Sequence, residues 1–385
     1  MSVNDTIRRM KSSKQKPRLH RVKFLHVALR GFEKSLAKFD NFKTWFRTLP
    51  KYLRVSSRVA LVLVVLISTH IIVENSWQPV QHPQYGVSFS YKYAQELGVD
   101  WKANYTALLD DLQIRNFRLM SYWDVHEPEE GKYDYSILDY QMDEAAKRGA
   151  KVSLSIGLRQ PRWPECHEPG WAAAMTDESP QWRKALYKYI ETTVDRYKDH
   201  PALLSYQLEN EAVNNWFGTC KGAAPRDRLH EEYNLVKSLD QSHELWMNLS
   251  DQHGFPIRVP NPDAYGFSVY RTVWNNKGPL HFYVTYPTPI WYHRIRKALI
   301  SLFHNRPVYI HELQIEPWCP SSTVNCSVEE QEKSMSEKQM RKNFDFGRKI
   351  GTDEIYTWGG EWWYWRKTKF NDSGPWETVR DELSK

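Results

Sequence analysis

The sequence has few cysteines and no glycine-rich phosphate loop, and each shortage excludes a kind of site. The four cysteines, Cys166, Cys220, Cys319 and Cys326, do not have the spacing of a zinc site. Their even number permits disulfides, and three pairings are open. No early strand is followed by the glycine-rich phosphate loop that an open doubly wound sheet would want.

Acidic residues are nearly absent from the first 58 residues, which contain 16 Lys/Arg and only 3 Asp/Glu. The remaining residues contain 37 Lys/Arg and 43 Asp/Glu, so the formal charge of +7 originates in this arm. A body with a net negative charge gives no support for nucleic-acid binding, and no nucleic-acid partner is expected. Apolar residues recur in the arm at spacings of three and four, opposite a basic face. This pattern predicts an amphipathic helix on an anionic inner leaflet, with a solvated tail or a partner-binding helix as alternatives.

Only one long apolar run is present, Val59–Val73, and it is shorter than the usual membrane-spanning helix of about 17–25 residues. Flanking apolar residues can extend it. No small-x-small cleavage site follows it, so we expect an uncleaved signal anchor rather than a signal peptide or a buried core helix. The positive residues before it predict a cytoplasmic N-terminus and an extracytoplasmic body, a location that permits disulfides. The predicted organisation is a cytoplasmic arm (1–57), a single-pass transmembrane anchor (58–74) and a catalytic domain (75–385).

Short β-like runs alternate with amphipathic helical patterns beyond the anchor. Eight such repeats over this length predict an α/β fold, specifically a (β/α)8 barrel. The connection between the fifth and sixth runs is a poor helix and is expected to be a loop. An open doubly wound sheet is the alternative, but it would require the missing phosphate loop. The eight predicted strands are 85–91, 116–120, 151–156, 203–209, 244–250, 264–269, 308–312 and 354–358.

Two carboxylates follow strand ends where a barrel builds its active face. Glu211 follows the fourth strand and Glu312 ends the seventh, so they are expected to converge although they are distant in sequence. Glycoside hydrolysis needs two such carboxyl groups, one to protonate the leaving oxygen and one to attack the anomeric carbon or activate water. Glu209 would share a face with Glu211 if the strand continued, but it would lie deeper and need a cationic partner. The alternative for this pair is an acid cluster at a helix N-terminus.

Four motifs, in order along residues 85–365, resemble the retaining glycosidases of clan A. "QLENEA" resembles the signature that ends strand four, and its Q-x-E-N-E form looks most like the β-galactosidases of the clan. "VYIHELQIEPW" resembles the strand-seven segment that presents the nucleophile. "RLMSYWDVHEPEEGKYDYSILDYQMDEAAKRGAKVSLSI" looks like the segment from strand two to strand three, and "YTWGGEWWYW" is similar to the tryptophan region of strand eight. The compact barrel is also similar to the cellulases and mannanases of the clan.

The resemblance implies a role for each matching position. Glu211 would be the acid/base and Glu312 the nucleophile, with no metal or organic cofactor needed. Asn210 would bind the sugar 2-hydroxyl, and Tyr270 would orient Glu312. Arg118 would keep Glu312 ionised, although it can pair with Glu209 instead. Aromatic residues on the active-face loops suit the apolar faces of sugar rings, although packing is their alternative role. The further substrate-binding candidates are Trp123, Trp163, Trp358 and Glu361.

The expected function is therefore a membrane-anchored retaining β-glycosidase that acts by double displacement on an extracytoplasmic carbohydrate. A non-catalytic carbohydrate-binding barrel at the cell surface is one alternative. A transglycosylase of the same fold is another, differing only in whether a sugar replaces water as the acceptor.

Overall fold

The computed structural model divides the chain into two compact units, Met1–Ser76 and Trp77–Lys385. The residues that it describes are 45–214, 218–220, 224–250, 254–276 and 279–385. Most of the basic arm, and with it the predicted amphipathic helix, lies outside the described residues.

The first unit contains one long apolar helix, α1 (Lys51–Ser76). Its segment Lys51–Glu74 is long and apolar enough to cross a membrane. The helix begins several residues before the predicted anchor at 58–74, because Arg and Lys residues can start a helix whose apolar part follows. A single helix of this kind is weak support for membrane crossing, so the anchor stays a prediction.

The second unit is a closed barrel of eight parallel strands, which confirms the predicted fold class. Around the barrel the strands follow the order β1, β10, β9, β6, β5, β4, β3 and β2. The predicted strands agree with the observed ones to within two residues at either end, except at the end of the first, which was predicted three residues too long. The barrel strands are β1 (Gln84–Ser88), β2 (Asn116–Met120), β3 (Lys151–Ile156), β4 (Leu203–Leu208), β5 (Glu244–Leu249), β6 (Ala264–Val269), β9 (Val308–Gln314) and β10 (Glu354–Trp358).

Helices surround the barrel and bury apolar side chains against the strands. In α11, for example, Met340, Phe344 and Ile350 are buried at helical spacing on one face. The helices of this unit are α2 (Tyr91–Glu96), α3 (Trp101–Asp110), α4 (Trp123–His126), α5 (Ser136–Lys147), α6 (Gly170–Ala173), α7 (Pro180–Tyr197), α8 (Arg226–Leu239), α9 (Ile290–His304), α10 (Val328–Met335), α11 (Glu337–Ile350), α12 (Gly360–Lys369) and α13 (Gly374–Leu383). Between β5 and β6 the described residues form no helix, as expected from the sequence.

Two features differ from a plain repeat of strand and helix. An antiparallel hairpin, β7 (Thr272–Asn275) and β8 (Phe282–Thr285), follows β6. Two helices, α10 and α11, precede β10 and are divided at Ser336, whose hydroxyl accepts a hydrogen bond from the backbone N–H of Gln339. A side-chain cap of this kind satisfies an N–H that the first helical turn leaves free, so a new helix begins there.

The four cysteines form two disulfides, Cys166–Cys220 and Cys319–Cys326. The structure thus selects one of the three pairings that the sequence left open. Cys166–Cys220 joins the loop after β3 to the segment after β4, and both segments lie at the carboxyl ends of their strands. This disulfide therefore restrains the rim of the barrel where the predicted catalytic residues lie.

Candidate active site

The chain turns sharply after β4, and this turn separates the two glutamates of "QLENEA". The strand ends at Leu208, and Glu209 and Glu211 both have left-handed backbones, with φ of +53° and +44°. Non-glycine residues seldom adopt this conformation, which costs of order 1–3 kcal/mol and is concentrated at functional sites. Because the strand does not continue, the two carboxylates do not share a face.

Glu211 points toward Glu312, and one hydroxyl group joins them. The hydroxyl of Ser268, on β6, lies 3.0 Å from Oε1 of Glu211 and 3.2 Å from Oε2 of Glu312. These two oxygens are therefore no farther apart than the sum of those distances. That limit is below the separation of about 6.5 Å at which the range for inverting glycosidases begins. Both residues are nearly buried: 8% of the surface of Glu211 and 3% of the surface of Glu312 are exposed to solvent.

Arg118, on β2, holds the carboxylate of Glu312 from one side. Its Nη1 donates to Oε1 of Glu312 at 2.7 Å, and its Nη2 donates to Oδ1 of Asn210 at 2.7 Å. Its Nε donates to Oε1 of Gln207 at 2.5 Å, so all three guanidinium nitrogens are engaged. Of the two pairings that the sequence allowed, the structure selects Glu312. The guanidinium thus fixes the position of one oxygen of the Glu312 carboxylate and of the Asn210 amide.

Tyr270 donates its hydroxyl hydrogen to the other oxygen of Glu312. The distance from the tyrosine oxygen to Oε2 is 2.7 Å. Burial, and then the nearby carboxylates of Glu312 and Glu211, raises the pKa of Tyr270 well above its usual value. The phenol is therefore protonated at neutral pH and acts only as a donor to Oε2. The predicted contacts of Arg118 and Tyr270 with Glu312 are thus both present.

Asn210 lies between these groups with its amide held in one orientation. Its Oδ1 accepts from Arg118 and also from Nδ2 of Asn248 at 2.8 Å, while its Nδ2 donates to Oε2 of Glu165 at 2.7 Å. Two donors on the oxygen and one acceptor on the nitrogen fix the amide, because the flipped orientation would bring N–H groups together. Asn248, on β5, also accepts the backbone N–H of Glu211 at 2.6 Å.

The other predicted aromatic residues differ in their position. Trp358 ends β10 and is 7% exposed, with the guanidinium of Arg162 4.3 Å from its ring centroid. Trp163 is 64% exposed on the loop after β3. Trp123 is fully buried and packs among other rings, with its indole 5.7 Å from Tyr189. This burial corrects the expectation for Trp123, which contributes to the core rather than to an open sugar site.

Glu361 is also withdrawn from solvent. It is fully buried and pairs with Nη2 of Arg162 at 2.9 Å, while Arg162 pairs with Glu316 at 2.7 Å. An acid that is buried and satisfied in this way is not available to bind a sugar hydroxyl directly. The structure therefore corrects the expectation for Glu361, which supports the loop that carries Arg162 beside Trp358.

Glu209 serves as a buried support below the catalytic residues. Its Oε1 accepts from Nη1 of Arg228 at 3.0 Å and from the backbone N–H of Leu158 at 3.0 Å, and its Oε2 accepts from the N–H of Arg159 at 2.6 Å. A Cβ atom on Gly157 would lie 2.7 Å from Oε1, so only glycine leaves room for this carboxylate. The expected cationic partner is thus Arg228 of α8, and the carboxylate also fixes the backbone that follows β3.

We expect Glu209→Gln to lower the free energy of unfolding by about 3 kcal/mol, because an amide N–H₂ would face the backbone donors and weaken the pairing with Arg228. Glu232→Gln is the matched control. Glu232 also contacts Arg228, at 2.8 Å, but burial raises its pKa well above the usual value, so the neutral amide is a close replacement. Chemical unfolding of both variants in detergent, followed by tryptophan fluorescence, tests this difference. Equal losses in the two variants would contradict the role given to Glu209.

Three residues of the site were not predicted from the sequence: Glu165, Asn248 and Ser268. Asn248 and Ser268 are polar residues within otherwise apolar strands, and Ser268 shares its strand phase with Tyr270 two residues later. That alternation was a usable signal. Glu165 gave no such signal, because it reaches the site from a loop. Within the described ranges, no group of three or more His, Cys, Asp or Glu side chains is arranged to hold a metal ion.

Comparison with known proteins agrees with the motifs. A family model described as beta-galactosidase, of the glycoside hydrolase 42 group, matches residues 100–253. A beta-galactosidase of Arthrobacter sp is 31% identical over 136 residues, which are 31% of this chain and 20% of the relative. Mannan endo-1,4-beta-mannosidase F of Aspergillus fumigatus is 26% identical over 171 residues, which are 39% of this chain and 35% of the relative. The chain thus spans between a fifth and about a third of these curated relatives.

The fold is similar to that of exo-beta-1,4-mannosidase Op5Man5 from Opitutaceae bacterium strain TAV5. The TM-score is 0.52 at 16% sequence identity, and the match covers 72% of this chain and 51% of that one. Together with the family match and the closed barrel, this likeness confirms the resemblance at the level of the clan. The family match includes the strand-four signature but not Glu312, so the individual roles of the site residues stay proposals.

Proposed function

We propose that this chain, a (β/α)8 barrel of the clan A glycoside hydrolase type, hydrolyses β-glycosidic bonds with retention of configuration. The observation that carries the proposal is the hydroxyl of Ser268, which bonds to both Glu211 and Glu312. The two carboxylates come from different strand ends, and the upper limit on the separation of these two oxygens lies below the range for inverting enzymes, which supports a retaining one. The names of the relatives, beta-galactosidases and mannosidases, support a β-linked sugar as the substrate class.

In the first step Glu312 attacks the anomeric carbon and the bond to the leaving sugar breaks. Glu211 donates its proton to the departing oxygen, so the leaving group is a neutral alcohol. Arg118 and Tyr270 hold the attacking carboxylate from both sides and fix its direction. The product of this step is a covalent glycosyl-enzyme on Glu312.

In the second step a water molecule takes the place of the departed sugar. Glu211, now ionised, removes a proton from this water, whose oxygen attacks the anomeric carbon as the bond to Glu312 breaks. Two inversions give a product with the original configuration. Asn210 would hold the sugar 2-hydroxyl through both steps, a contact that strengthens in the transition state.

A panel of aryl β-glycosides tests the proposal. We expect the full chain in detergent to release the aryl group from at least one of the β-galactoside, β-mannoside or β-glucoside. Proton NMR early in the reaction should show the β-anomer of the sugar before mutarotation. Initial release of the α-anomer would contradict retention, and sugar binding without any turnover would support a binding barrel. A product extended by an added acceptor sugar would show transglycosylation.

We also propose that α1 anchors the barrel outside the membrane, with the N-terminus in the cytoplasm. The proposal is supported by the apolar helix, by the basic residues that precede it and by the two disulfides, which form in oxidising compartments. In sealed right-side-out vesicles, whose cytoplasmic face points inward, added protease should digest the barrel and spare the arm. Protection of the barrel would contradict this topology.

A further inference from the structure

A loop that follows β3 carries a third carboxyl group, that of Glu165, into the site. The loop closes through an antiparallel bridge between Arg159 and Cys166, and the backbone N–H of Gln160 donates to the carbonyl of Glu165 at 2.7 Å. The next residue, Cys166, is joined by its disulfide to Cys220. Glu165 itself has a left-handed backbone, with φ of +72°. The chain therefore fixes Glu165 in a conformation that a free loop would seldom adopt.

The segment around Gly218, which follows β4, leaves room for the side chain of Glu165. A Cβ atom on Gly218 would lie 2.6 Å from Cβ of Glu165, so a larger residue at 218 would displace it. Gly218 is two residues before Cys220, and the same disulfide therefore holds both sides of the contact together. The segments that follow β3 and β4 thus together fix the position of the Glu165 carboxyl group.

The carboxyl group of Glu165 is buried and only partly satisfied. The residue is 3% exposed, and Oε2 accepts from Nδ2 of Asn210 at 2.7 Å. Among the described residues, Oε1 has no hydrogen-bond partner. Burial, and then the nearby charge of Glu211 with a smaller effect of Glu312, raises the pKa of Glu165 well above its usual value. The raised pKa favours the protonated form of this group, which has a hydrogen to donate.

A group of this kind is costly for a fold that does not use it. A buried acid beside two carboxylates is repelled by them whenever it ionises, and its burial disfavours the charged form as well. Groups perturbed by both burial and specific neighbours are concentrated at functional sites. The cost is explained if a ligand supplies the missing partner for Oε1.

The position of Asn210 identifies which part of a sugar would supply the missing hydrogen-bond partner of Glu165 Oε1. One amide hydrogen of Asn210 is given to Glu165, and the other has no partner among the described residues. In the proposed mechanism this free hydrogen binds the 2-hydroxyl of the sugar at the cleavage point. Glu165 is bonded to the same nitrogen, so its free oxygen lies beside the substituent on C2.

We propose that Glu165 is a sugar-binding residue that recognises the substituent on C2 of the sugar at the cleavage point, acting together with Asn210. The hydroxyl on C2 forms hydrogen bonds with the free oxygen of Glu165 and with the amide of Asn210. Glu165 thereby distinguishes a 2-hydroxy sugar from one that lacks this oxygen. This inference rests on the proposed glycosidase function.

The test compares the glycoside that the wild type hydrolyses best with its 2-deoxy analogue. We expect Glu165→Ala to lower kcat/KM for the 2-hydroxy substrate by about 10- to 100-fold, the effect of losing one buried hydrogen bond to the sugar. For the 2-deoxy substrate the same variant should lose less than about threefold. Each variant is compared with the wild type on the same substrate, so the intrinsic reactivity of 2-deoxy glycosides cancels. Glu165→Gln, which keeps one acceptor and one donor, should retain activity on both substrates within about threefold.

Glu168→Gln is the matched control, since Glu168 belongs to the same loop region but accepts from Nε1 of Trp182 instead. This variant should leave the ratio of the kcat/KM values for the two substrates unchanged. Equal losses of Glu165→Ala on both substrates would show a merely structural role and overturn the inference, while leaving the glycosidase proposal intact. No loss on either substrate would overturn it as well. A wild type that is inactive on every glycoside would instead overturn the proposed function, and this inference with it.

Discussion

Glu312→Gln should lower kcat for an aryl β-glycoside by at least about 10⁴-fold, the scale of loss on removing a catalytic nucleophile. The amide is nearly the same shape as the carboxylate but cannot form the covalent glycosyl-enzyme. It also places an N–H₂ group against donors, because Arg118 and Tyr270 both donate to the carboxylate in the wild type. Steady-state release of the aryl group measures the loss.

Glu312→Ala separates the loss of the nucleophile from a change of shape. The shorter side chain opens space on the side from which Glu312 attacks, so added azide should enter there and form the glycosyl azide of inverted, α configuration. Glu329→Gln, at an exposed position of α10, is the surface control and should keep wild-type activity. A Glu312→Gln enzyme with more than a hundredth of the wild-type activity would show that another group is the nucleophile.

The barrel could be predicted in detail from the sequence because its signal is local. Parallel strands buried on both faces read as short apolar runs, and the helices between them show one apolar stripe. The hairpin of β7 and β8 was missed, since two strands of four residues after β6 give too little pattern to be separated from a loop.

The site was predictable only where it lies on strands. Glu211 and Glu312 follow from strand ends, and Arg118 and Tyr270 follow from the resemblance. The partner of Arg118 was not decidable from sequence, because the choice depends on whether another cation reaches Glu209. Arg228 does so from α8, and a single sequence gives no sign of this distant contact.

Loop residues escaped prediction for a different reason. Glu165 reaches Asn210 because a disulfide, a left-handed backbone and the missing side chain of Gly218 all constrain one loop. Four cysteines allow three pairings, so the sequence could not say which segments meet. The same limit explains why Glu361 was expected at the sugar, since its pairing with Arg162 depends on that loop.

Glu211→Ala should affect two classes of substrate very differently. For a glycoside with a poor leaving group, the first step needs a proton on the departing oxygen, and we expect kcat/KM to fall by about 10²–10⁴-fold. For a dinitrophenyl glycoside the leaving group departs as a stable anion, so the first step should stay within about tenfold of the wild type. The second step loses its general base, and the glycosyl-enzyme on Glu312 should therefore accumulate. A burst of dinitrophenol followed by slow turnover measures this change.

Azide should restore turnover of Glu211→Ala by a route opposite to that in Glu312→Ala. Azide needs no general base, and it attacks the accumulated glycosyl-enzyme from the side that Glu211 vacates, which gives the β-glycosyl azide. The two alanine variants should thus yield azides of opposite configuration from one substrate. An α-azide from Glu211→Ala, or a loss independent of the leaving group, would contradict its role as acid and base. Ser268 bonds to both carboxylates and so does not distinguish the proton donor from the nucleophile, whereas the configuration of the azide does.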